Sequence, residues 1–189
     1  MSTNLKVYKV TCILGLFFIS YAESCVAEHC TEQSWSKLLN KQHTVENWYN
    51  QNALGFNQLL GHYDQQVLMG EEFNINELSS FWHPNKTELH KRLNDQIQSS
   101  TYLAELLSQR VLLINEKIDT VSGLTLAWQE ISFHCLKKNR ALNYQTSQNN
   151  MHSSQSLQSA LSLLKSKYDQ LSQRYRDEAQ AIQASKPKL

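Results

Sequence analysis

Two His-Cys pairs, His29-Cys30 and His134-Cys135, are the residues of this chain best suited by type to covalent or metal chemistry. A thiol pair oxidises to a disulfide where the compartment allows it, and two Cys with two His make a tetrahedral zinc set. Neighbouring helical residues point about 100° apart, so His134 and Cys135 converge poorly on one ion, and zinc motifs space their ligands by two residues or more. A structural disulfide between Cys30 and Cys135 is therefore the expectation. A zinc or copper set of His29, Cys30, His134 and Cys135 is the alternative, and no cofactor is otherwise implied.

The other reactive residue types fall without a pattern. His43, His62, His83, His90 and His152 share no ligand spacing, and Pro84 separates His83 from His90. Glu71 and Glu72 sit in a turn that lacks the acidic spacing of a calcium loop. The chain has no Glu-x-x-His pair of the di-iron kind and no Gly-x-Ser-x-Gly elbow. Arg92, Arg110, Arg140, Arg174 and Arg176 show no arrangement resembling secreted chorismate mutases. A non-enzymatic protein is the leading expectation.

What positions the cysteines starts with an address. Lys6 and Lys9 precede an apolar run, Val10 to Ala22, followed by small residues, the three-part layout of a secretory signal peptide. Thirteen helical residues reach roughly 20 Å, short of the hydrocarbon thickness of about 30 Å. Residues 1–27 are read as the leader and 28–189 as one domain, with cleavage after Ala27 or Ala22, or lipoprotein processing at Cys25. Cys12 leaves with the leader, and Cys25 either leaves or takes a lipid; only a cut after Ala22 without lipidation keeps it as a third thiol, a less economical reading. The remaining even pair, Cys30 and Cys135, fits an oxidising compartment. Export to a periplasm or the extracellular space follows, with membrane attachment only through a lipid on Cys25.

The domain itself reads as all-α. Five Gly and two Pro in 189 residues cannot supply the turns of a sandwich or barrel, while 41% hydrophobic residues suffice for a core. Eighteen Lys and Arg against 17 Asp and Glu give +1, which argues against a nucleic-acid partner. Helical periodicity runs from 31 to 68, with Trp35, Tyr49, Phe56 and Tyr63 in one seven-residue register that Gln42 interrupts. It resumes from 102 to 140, where Ile114, Val121, Trp128 and Cys135 lie seven apart, and again from 151 to 184. Ser99-Ser100-Thr101 is read as a break, because hydroxyls favour helix ends, and the polar stretch 139–150 as a turn.

These pieces predict an elongated bundle of three long antiparallel helices, about 55 Å long. A small helical cap, 69–100, is inserted between the first helix and the next long one, and a flexible tail covers 185–189. In an antiparallel pair of the first two long helices, Cys30 falls beside Cys135. Phe73, Phe81 and Trp82 of the cap form either its own small core or an aromatic anchor for a protein partner. The layout, long helices with an appendage behind a leader, resembles the minor pilus-tip subunits of type IV secretion systems, which implies contact within an envelope assembly. A protein working by protein–protein contact, with oligomerisation open to it, is thus expected. A periplasmic chaperone is the first alternative and a small secreted helical enzyme the second.

Overall fold

A computed structural model describes residues 30–187. The described residues form five helices: α1 (Glu32–Tyr63), α2 (Met69–Glu72), α3 (Ile75–Phe81), α4 (Thr87–Lys137) and α5 (Ala141–Ala184). Among the described residues there is no strand, as an all-α reading requires. The two longest helices, of 51 and 44 residues, pack antiparallel along most of their length. At about 1.5 Å per residue, α4 extends for about 76 Å. Two expected boundaries fall elsewhere, one inside α4 and one at the start of α5.

The first is at residues 99–101. There the hydroxyls bond back onto the preceding turn: Ser99 Oγ donates to the Asp95 carbonyl at 2.9 Å and Thr101 Oγ1 to the Ile97 carbonyl at 2.8 Å. So satisfied, they do not compete with the helical ladder, and Ser100 between them is buried. The region assigned to the cap over 69–100 therefore shrinks, since residues 87–100 belong to α4. The second correction concerns 139–150. The reversal occupies only Lys138, Asn139 and Arg140, and α5 begins ten residues earlier than expected. Asn139 takes φ 56°, the left-handed conformation that closes helices. Its N–H donates to the Leu136 carbonyl at 3.0 Å, and the Arg140 N–H reaches back to the Cys135 carbonyl at 2.9 Å. This paired closure stops α4 abruptly and lets the polar run after it stay helical.

Serine is the means by which α4 and α5 approach. Ser132, Ser147, Ser154 and Ser172 are all buried. Ser172 Oγ donates across to the Ala104 carbonyl of α4 at 2.8 Å, a contact possible only where the backbones lie close. Ser147 Oγ returns to its own helix at the Asn143 carbonyl, 2.8 Å away. Each small side chain thus fills little space and leaves no unmatched hydroxyl.

Helix α1 lies against both members of this hairpin. It opens at Thr31, whose hydroxyl accepts from the Ser34 N–H at 3.3 Å. Three edge-to-face aromatic pairs mark its path: Trp35 with Trp128 at 5.5 Å, Phe56 with Tyr168 at 4.9 Å, and Tyr63 with Tyr175 at 5.5 Å. The order of these partners makes α1 parallel to α5 and antiparallel to α4. Two core clusters result. The larger runs from Val45 to Tyr175 across all three helices, and the smaller gathers Trp35, Leu38, Trp128, Ile131 and Met151 around the cysteines.

Candidate functional site

Two places hold the residues singled out by the sequence, one at each end of the molecule. At the first end, Cys30 and Cys135 are joined, with Cα atoms 5.8 Å apart, inside the range of about 4.4–6.8 Å that such a bond needs. Cys135 is fully buried. This placement of the two sulfurs is the one the disulfide reading expects. His29 of the alternative zinc or copper set lies outside the described residues, as do Cys25 and the leader, 1–27. Among the described residues no three His, Cys, Asp or Glu side chains gather as a metal set.

Further along α1 from the disulfide sits Gln42, the residue that seemed to interrupt the α1 stripe. It is buried and bonded at both ends of its amide. Its Oε1 accepts from Trp128 Nε1 at 2.9 Å and from Ser154 Oγ at 3.1 Å, while its Nε2 donates to Glu46 Oε1 at 2.9 Å and Ser153 Oγ at 3.1 Å. Two donors and two acceptors are the full capacity of an amide. Gln42 continues the stripe as a polar key that ties α1 to α4 and α5 at one register.

The opposite end carries the cap, built from α2 and α3. Asn74 closes a capping box with Glu77: its Oδ1 accepts from the Glu77 N–H at 3.1 Å, and its own N–H donates to Glu77 Oε2 at 2.8 Å. Leu78 is the buried residue of α3. Phe73 and Phe81 meet edge to face at 5.0 Å, with the Lys86 ammonium 5.5 Å above the Phe81 ring. Trp82 donates from Nε1 to Ser185 Oγ at 2.9 Å, stacks on His90 at 5.3 Å and lies under Lys186 Nζ at 5.1 Å. All three aromatics are half-buried, so each contributes packing beneath and a face above. The segment expected as a flexible tail begins docked: Ser185 is buried, and Lys186 Nζ donates to Asn94 Oδ1 at 2.8 Å.

A carboxylate holds the cap to the hairpin. Glu178, 2% exposed, accepts from the Met69 N–H at 2.8 Å, the Gly70 N–H at 2.7 Å and Gln96 Nε2 at 3.2 Å. Free N–H groups at a helix start favour a negative charge. The contact also requires Gly70, because a Cβ there would lie 2.8 Å from Ala181 Cβ and 2.9 Å from Glu178 Oε2. Sequence reasoning passed over Glu178. The signal was present, since Leu157, Leu164, Leu171 and Glu178 step by seven along α5, placing an acid on the apolar stripe.

Between cap and hairpin, Tyr63 Oη donates to Glu71 Oε1 at 3.0 Å and accepts from Arg174 Nη1 at 3.3 Å. Burial raises the phenols of Tyr63, Tyr168 and Tyr175 above the ordinary value of 10.0. These groups are thereby held neutral as hydrogen-bonding members of the core. No helix among the described residues is long and apolar enough to cross a membrane. Comparison of the chain with protein families, with curated proteins and with solved structures finds no match in any of the three.

Proposed function

We propose that this is a non-enzymatic exported protein that works by protein–protein contact in the cell envelope or outside the cell, presenting its cap from the end of a rigid three-helix bundle. The observation that carries this reading is the half-buried aromatic set Phe73, Phe81 and Trp82, fixed from below by the Glu178 carboxylate and by Ser185. Aromatic side chains already ordered before contact lose little entropy on binding, and such residues dominate interface energetics. Export is supported by the leader-like residues 1–27 and by a cysteine pair placed for oxidation, a bond that persists in oxidising compartments.

Affinity capture with the disulfide-bonded protein, from the envelope fraction of its own cells, tests the reading. The wild-type protein is expected to retain a defined partner that Phe81→Ala, folded by circular dichroism, retains at least about tenfold less. Equal recovery by both proteins, or no specific partner, contradicts it.

A further inference from the structure

We infer that the disulfide end of the molecule is a docking tip for an anionic phospholipid surface. The last residue of α4 and the reversal after it carry Lys137, Lys138 and Arg140, all exposed. Apolar side chains bracket these cations: Phe133 is 56% exposed, Leu136 53% and Leu142 83%. The Lys137 ammonium sits 4.3 Å over the Phe133 ring, so its stem covers apolar surface while its charge stays at the polar edge. Beside them, the last turns of α4 and first turns of α5 enclose a groove of about 550 Å³ that includes Phe133, Leu136 and Tyr144. Cations for phosphate and leucines for the headgroup boundary are the two terms of interfacial binding.

The choice of a lipid surface over another protein rests on charge and on chain geometry. Three cations crowd the tip and outnumber the acids near it, Glu32 in the first turn of α1 and Glu130, which stands seven residues up α4 from Lys137 and lines the groove. The chain also leaves the bundle here, at Cys30, bonded to Cys135. Cys25 is five residues further on, within about 17 Å of extended chain, so a lipid placed there would hold this same end at a bilayer. The tip then lies on the membrane, and the cap stands about 70 Å away, the length of the α4–α5 hairpin. This inference is independent of the partner reading, because lipid alone tests it.

The chain from residue 28 onward keeps both core clusters and the disulfide, and removes the apolar leader that would bind lipid by itself. Sedimentation with phosphatidylcholine vesicles containing about 30% phosphatidylglycerol is expected to carry the protein down, with at least about tenfold weaker partitioning onto phosphatidylcholine alone or at about 0.5 M salt. Leu136→Ser/Leu142→Ser is expected to lower partitioning at least about tenfold, and Lys137→Glu/Lys138→Glu to abolish the preference for anionic vesicles. Leu112→Ser, at an equally exposed leucine far up α4 (67%), is expected to bind as wild type. Each variant is checked for the disulfide and for helicity. No partitioning onto anionic vesicles, equal partitioning onto neutral ones, or tip variants that bind as well as wild type overturn the inference. So does lipid-free self-association that the tip variants dissolve, which would assign the surface to a second copy of the chain.

Discussion

Single side chains set the register of this bundle, and the decisive ones are polar. Gln42 uses all four of its hydrogen-bonding positions between three helices, so truncation strands Trp128 Nε1 and Ser154 Oγ in the core. Gln42→Ala is expected to cost about 2–3 kcal/mol in urea unfolding, whereas a loss below about 0.5 kcal/mol would show that the network contributes no register. The buried tyrosines make a second prediction. Their folded-state values are raised by burial, so the unfolded chain ionises first and stability present below pH 10 is lost as pH rises through and above that value. Unfolding free energy is expected to fall from about pH 10 upward, and less steeply in Tyr168→Phe. An unchanged slope in that variant would remove Tyr168 from the account. Both Gln42 and Glu178 occupy apolar registers visible in the sequence. What spacing alone did not disclose was their partners, which apart from Glu46 lie on other elements of the fold.

At the level of elements, the apolar stripes were legible and the boundaries were not. Trp35, Phe56 and Tyr63 share a register in the sequence, and each meets an aromatic ring of α4 or α5. Serine misled because its hydroxyl has two uses: capping a helix, or bonding back onto the preceding turn while presenting little bulk to a neighbour. Ser99, Thr101, Thr146 and Ser147 take the second course. The pairing of Cys30 with Cys135 was readable because they are the even pair left once Cys12 and Cys25 are set aside, and because the start of α1 meets the end of α4 in an antiparallel pair, although α1 and α4 differ in length, 32 residues against 51. That bond closes a loop of 105 residues, for which chain entropy gives about 4–5 kcal/mol at most. The Cys30→Ser/Cys135→Ser protein is accordingly expected to melt about 10 °C lower, followed by circular dichroism without reductant. A melting temperature within about 2 °C of wild type would mean that α1 is held by its packing alone.

As a whole the molecule is a long helical hairpin with a third helix along one side, a disulfide and a basic apolar tip at one end, and a latched aromatic cap at the other. The near balance of 18 cationic and 17 anionic side chains conceals an uneven placement, since Lys137, Lys138 and Arg140 crowd into one turn. Composition could not reveal that, nor that the cap is smaller than its sequence interval and tied down by Glu178. The cap as a contact surface is the central claim, and site-specific photocrosslinking addresses it most directly. With a photoreactive residue at Phe81, irradiation in the native envelope is expected to yield one discrete heavier adduct, absent when the same residue stands at Leu112. No adduct at Phe81, or the same adduct from both positions, would contradict the claim.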